Sequence, residues 1–175
     1  MATTLERLKT SSSIAGKYLT FALGKEEYGL QILKVKEIIG YQDITSVPQT
    51  PPEIKGVINL RGKVIPIVDL RTRFSMEEVN ITEQTCIIVI EIEQNDNTLA
   101  TGIVVDNVSE VLDITAEEIE PAPEFGSSLE TNFILGMGKV GGKVKILLDI
   151  EKALIDQNLM NITDIYEDDE NNAEM

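Results

Sequence analysis

From residue 17 onward the apolar positions recur in short runs rather than at helical spacing. Residues 18–23, 27–31, 57–60, 64–69, 85–93, 99–105 and 144–148 are rich in β-branched side chains and read as strands. Turn-forming stretches separate them: Gly24-Lys25-Glu26, Arg61-Gly62-Lys63, Gln94-Asn95-Asp96-Asn97 and Gly141-Gly142. Helical periodicity is concentrated at residues 150–160, with a single turn expected at 32–35. Many short strands and few helices predict an all-β fold of small barrels or a sandwich.

The runs are not independent of one another. Val64-Ile65-Pro66-Ile67-Val68-Asp69-Leu70 matches Val144-Lys145-Ile146-Leu147-Leu148-Asp149-Ile150, an offset of 80 from 64 to 144, which also aligns Gly56 with Gly136 and Gly62 with Gly142. Upstream, residues 29–38 resemble residues 102–111 at an offset of 73, from 29 to 102, and Pro48 and Pro121 keep that spacing. Two features in one order, their offsets differing by seven residues between 73 and 80, predict two copies of one unit. A unit of about 70 residues is marginal alone, so the copies are expected to share apolar surface and leave a groove between them. The expected boundaries are a flexible segment at 1–16, a first barrel at about 17–80, a second at about 81–150 with strands exchanged as a possibility, and a helix end plus an acidic, disordered tail at 156–175.

Charge sharpens the choice of partner. With 30 acidic and 15 basic side chains the net charge is −15, which disfavours nucleic acid and anionic lipid and favours proteins. Part of the excess is a tail, since residues 163–175 hold six acids and no base. There is no histidine, so Ser/His and Cys/His nucleophilic sites, histidine-ligated metals and phosphohistidine are excluded. One cysteine, Cys86, permits no intrachain disulfide. No run approaches the roughly 18 residues of a membrane span, and a cytoplasmic location with no membrane insertion is expected.

Three candidate sites emerge. At the turn Arg61-Gly62-Lys63, glycine permits positive φ; the second copy has Gly141 where the first has Arg61, so the turn itself does not demand arginine. Its guanidinium suits a partner's carboxylates or carbonyls. Leu30, Ile32, Leu33, Val35 and Ile38, with their counterparts Ile103, Val104, Val105, Val108 and Val111, supply more apolar surface than one strand face uses. Most are core, and as paired segments they suit a groove for a partner helix, with Glu37 and Glu110 as rim charges or solvated side chains. Asp69 and Asp149, one from each copy, allow an aspartic-type hydrolase as the alternative reading. Leu70 and Ile150 follow them, where that chemistry needs a small-residue turn, and helix capping is the expected role. A small-ligand module would instead need a closed apolar cavity. Gly136-Met137-Gly138-Lys139-Val140-Gly141 is a weak phosphate-loop match with no strand-to-helix transition after it, and no cofactor is expected.

With these residues assembled, the chain resembles the CheW family over about residues 17–155. The most specific stretch runs from Ile54-Lys55-Gly56 through Asn59-Leu60-Arg61-Gly62-Lys63 to Val68-Asp69-Leu70-Arg71; supporting stretches are 27–41, Gly102-Ile103-Val104-Val105-Asp106 with Val108, and Ile119-Glu120-Pro121-Ala122-Pro123. The resemblance implies two intertwined five-stranded Src-homology-3-like barrels packed face to face, with short helical segments and a C-terminal helix. It implies a non-catalytic scaffold that binds the regulatory domain of the histidine kinase CheA and the cytoplasmic tip of a methyl-accepting chemoreceptor, recruited to membrane-associated arrays. Carried over residue by residue, Val35, Glu37, Gly56, Arg61 and Val108 match positions tied to receptor or array contacts. CheV-like or CheA-like readings would need a receiver or an ATP-binding domain in addition.

Overall fold

Residues 13–94, 96–122 and 133–154 are described by the structure, a computed structural model. The expected lead-in before Ser13, the acidic tail and the part of the C-terminal helix beyond Leu154 lie outside them. The first copy supplies β1 (Gly16–Leu23), β2 (Glu26–Gln31), β3 (Val35–Gly40), β4 (Ile54–Leu60), β5 (Lys63–Asp69) and a one-turn helix α1 (Leu70–Arg73). The second supplies β6 (Cys86–Gln94), β7 (Asn97–Val105), β8 (Asn107–Ile114), β9 (Ile119–Glu120), β10 (Ile134–Val140), β11 (Lys143–Leu148) and α2 (Ile150–Leu154).

These strands form two sheets, ordered β8-β1-β2-β11-β10-β9 and β3-β6-β7-β5-β4. The orders are equivalent strand for strand, and an isolated bridge from Thr45 to Val57 stands where β9 pairs with β10. Each is a Src-homology-3-like barrel with five full strands. The hairpins are exchanged: β1–β2 precedes β3 in the chain but pairs in the sheet of β8–β11, and β6–β7 pairs in the sheet of β3–β5. β2 lies parallel to β11, and β7 parallel to β5.

The exchange explains the unbroken apolar run at residues 86–90. In a strand, alternate side chains point to opposite faces; Ile87 and Val89 enter the core of one barrel, with Ile58, Ile65, Ile67 and Val104. Ile88, Ile90 and Ile92 point the other way into a core shared by both barrels, where they meet Leu19, Phe21 and Leu23 of β1. A strand buried on both faces loses its polar alternation. Tyr18, Ile114, Ile119 and Leu147 fill the second barrel. The units are thus joined by a core as apolar as either interior, each fully buried Leu, Ile or Phe in it contributing about 1.5–3 kcal/mol. Phe21, Tyr28, Phe74 and Phe133 extend the junction as a stacked column with centroids 5.8, 5.8 and 5.2 Å apart. Cys86, half-buried at the start of β6, has its thiol pKa pushed up by that burial, which keeps it a weak nucleophile.

A polar knot ties the same junction. Asp106, the single residue between β7 and β8, accepts from Arg71 of α1 through Nε at 2.8 Å and Nη2 at 2.5 Å, and from the backbone N–H of Gly24 in the β1–β2 turn at 2.8 Å. The Arg71 guanidinium holds the Asp106 carboxyl below its ordinary value. A carboxylate with a lowered folded pKa stabilises fully above its unfolded pKa and stops doing so as pH falls through the folded value. Asp106→Asn should therefore cost about 2 kcal/mol in urea unfolding at pH 7. Its deficit should narrow as pH falls through the ordinary carboxylate range toward the lowered value at which the folded parent's Asp106 protonates; a deficit independent of pH would mean that shape, not charge, holds the knot.

Candidate protein-interaction site

The β4–β5 connection is a two-residue turn in which Arg61 (φ 50°) and Gly62 (φ 87°) are both left-handed, the geometry that matches strand twist in tight hairpins. Asn59 Oδ1 accepts from the Gly62 N–H at 2.8 Å and helps hold it. The equivalent turn between β10 and β11 uses Gly141 (φ 62°) and Gly142 (φ 77°). Arginine at the first position is the strained choice, since a Cβ crowds the backbone there; glycine in the other copy shows that the fold itself does not require it.

The arginine has a partner. Its Nη1 and Nη2 donate to Glu37 Oε1 and Oε2 at 2.6 and 2.7 Å, a two-pronged pair joining edge strand β3 to the β4–β5 turn. That hydrogen bonding holds the Glu37 carboxyl below its ordinary range and raises Arg61. Arg61 remains 71% exposed while Glu37 is 21% exposed. Two of the five guanidinium N–H donors are engaged with Glu37, leaving three for another molecule. In the second barrel the counterpart carboxylate, Glu110, faces a turn without an arginine. Among the described residues no hydrogen bond or ion pair reaches it; only its backbone is held, donating to and accepting from the Thr20 hydroxyl at 3.1 and 2.8 Å.

Val35 and Val108 occupy matching places. A register shift between Val35 and Glu37 in the β3–β6 pair, and another between Leu19 and Phe21 in the β1–β8 pair, mark a bulge in each edge strand. A bulge re-aims the residues on either side of it. Val35 thereby packs on the shared core while Ile39 packs inside its barrel; Val108 likewise packs on the shared core and Ile114 inside the other barrel. Both valines are half-buried, apolar margins of the junction between the barrels. Of the remaining groove candidates, Leu30, Ile103, Val104 and Val105 are core, whereas Leu33, Ile38 and Val111 are exposed; Leu33, at 95%, sits on the 3-10 turn Ile32–Lys34.

Gly56 sits elsewhere. It is buried with φ 149°, and a Cβ there would lie 2.0 Å from the Thr45 carbonyl oxygen. Thr45 exchanges two hydrogen bonds of 2.9 Å with Val57, so glycine is required for that strand to close over β4. The structure therefore gives Gly56 a local role and brings Val35, Glu37 and Arg61 to the surface of the first barrel.

Asp69 accepts from the Arg71 N–H at 2.9 Å and Asp149 from the Lys152 N–H at 3.2 Å, so each caps the helix after it. A cleft of about 190 Å³ takes in Asp69, Lys55, Arg71 and Asp106 but not Asp149, and among the described residues the two carboxylates share no hydrogen-bond partner. Two residues outside the sequence-based set carry weight: Asp106, described above, and Lys145, buried at 7% exposure and paired with Glu27 across the parallel β2–β11 contact. The repeat alignment held the signal for Lys145, which stands where the first copy has Ile65.

A family model described as the CheW-like domain matches residues 17–158. The chemotaxis protein CheW of Klebsiella aerogenes is 45% identical over 163 residues, covering 90% of this chain and 96% of that protein. The chemotaxis protein CheW of Treponema pallidum is 29% identical over 151 residues, covering 84% of this chain and 86% of that protein. Among solved structures, that of the scaffolding protein TtCheW from Thermoanaerobacter tengcongensis superimposes with a TM-score of 0.71 at 34% identity, covering 83% of this chain and 96% of that one.

Proposed function

The chain belongs to the CheW-like domain family, and from that premise we propose that it is a non-catalytic chemotaxis adaptor that joins chemoreceptor signalling tips to the histidine kinase CheA and lets receptor state control kinase activity. The observation that carries this reading is the asymmetry between the barrels. One edge bears a strained, mostly exposed Arg61 oriented by Glu37, beside an apolar margin at Val35; its twin edge lacks the arginine. An arginine whose orientation is already fixed loses less entropy on binding, and arginine beside apolar surface is the composition of energetic centres in protein interfaces.

On this reading Val35, Glu37 and Arg61 contact the receptor, Val108 lines the margin on the second barrel, and Gly56 supports the surface by shaping β4 rather than by touching a partner. The functional unit is residues 17–155, with 1–16 and 156–175 as appendages. The protein works in the cytoplasm, carried to membrane-associated arrays by its partners. Pull-down with a receptor cytoplasmic fragment and, separately, with the CheA regulatory domain tests it: both should retain the chain, and retention by neither would end the proposal.

A further inference from the structure

Exchange of the hairpins poses a choice during folding. β1–β2 and β6–β7 are both antiparallel hairpins, with six and nine paired positions, and each docks along a parallel strand at the same place: Leu147 against Gly29 in one barrel, Ile67 against Gly102 in the other. The approach is close at both glycines: a Cβ would lie 2.9 Å from Leu147 Cδ2 at Gly29 and 2.6 Å from Ile67 Cδ1 at Gly102, so the facing side chain would have to shift. Those contacts are the same for either hairpin in either barrel and cannot tell the two apart.

Two residues further along, the barrels differ. Lys145 pairs in register with Glu27, is buried at 7% exposure, and forms an ion pair with it; the Ser109 hydroxyl adds a 3.4 Å hydrogen bond to the other Glu27 oxygen. The equivalent positions, by the same offsets of 80 and 73, are Ile65 and Ala100, both in the apolar core of the first barrel. Docked the other way, the hairpins would set the Lys145 side chain, only 8% exposed, against Ala100 with no carboxylate to meet it, and the Glu27 side chain, 34% exposed, against Ile65 with no cation. That arrangement is strongly disfavoured.

We propose that the Lys145–Glu27 pair selects which hairpin enters which barrel, making the exchanged topology the single outcome of folding. The charges specify rather than strengthen. An apolar pair at this site should fold, as it does in the first barrel, but should no longer discriminate.

The test refolds the full chain from urea and reads amide NMR signals and size-exclusion profiles for the parent, for Glu27→Ala/Lys145→Ile and for the reversed pair Glu27→Lys/Lys145→Glu. The parent and the reversed pair should give one set of signals and one monomeric peak. The apolar double variant should lose this uniqueness, showing doubled signals or a dimer of exchanged hairpins. Should it not fold, Glu27→Gln/Lys145→Met, which keeps side-chain volume, takes its place with the same expectation. A single species from the uncharged variants, matching the parent, would overturn the proposal; so would a reversed pair as heterogeneous as they are.

Discussion

Gly56→Ala is expected to cost about 3 kcal/mol of folding stability, a large part of the 5–15 kcal/mol typical of a protein domain. The added Cβ meets not a movable side chain but the Thr45 carbonyl, at 2.0 Å, and does so at a φ of 149° that L side chains rarely adopt. The backbone has to move, and the two hydrogen bonds between Thr45 and Val57 are the first to be lost. Gly62→Ala is the control: its φ of 87° is also left-handed, but nothing lies within 4 Å of the added atom, so it carries strain without collision. Urea unfolding should rank Gly56→Ala well below Gly62→Ala, and amide exchange should show Thr45 and Val57 losing protection. Equal losses in the two variants would mean that the Thr45 contact is not what demands glycine at position 56.

Arg61→Ala should do the reverse, leaving the melting temperature nearly unchanged while weakening receptor binding at least about tenfold, the scale of an interface anchor. Exposed pairs contribute little to folding, and the Arg61 side chain is 71% exposed. Glu37→Ala should weaken binding by less, because the guanidinium survives and only its orientation is lost. The exchange Glu37→Arg/Arg61→Glu keeps an opposite-charge pair but moves the positive head from the turn to the strand; it should leave stability nearly unchanged, as Arg61→Ala does, without restoring affinity. Binding that survives Arg61→Ala intact would make the pair a clasp for the barrel and nothing more.

What the sequence discloses about this fold follows from which interactions are local. The strands β1, β2, β5, β6, β7 and β11 are legible because alternation or a continuous β-branched run marks each one. β3 and β8 are harder: the bulges put Val35 and Ile39 on opposite faces although they are four residues apart, so the segment shows surplus apolar residues in place of a clean period. β10, with Gly136 and Gly138 inside it, has weak strand character of its own and is visible mainly through its repeat partner β4. Exchange of the hairpins is a matter of pairing between distant strands, and no periodicity records it. Glu37 and Arg61 can each be singled out, but their pairing cannot, because a contact over 24 positions leaves no local pattern. Comparison of the copies does carry a trace of it: the glutamate is kept as Glu110, while the arginine becomes Gly141.

The central claim, that this chain couples receptor to kinase through the first barrel's edge, is tested most directly by CheA autophosphorylation in a reconstituted mixture with a receptor cytoplasmic fragment. Adding the parent chain should change kinase activity only when the receptor fragment is present, and an equal amount of folded Arg61→Ala protein should leave it near the level without adaptor. Kinase activity indifferent to the parent chain, or changed equally by Arg61→Ala, would contradict the account.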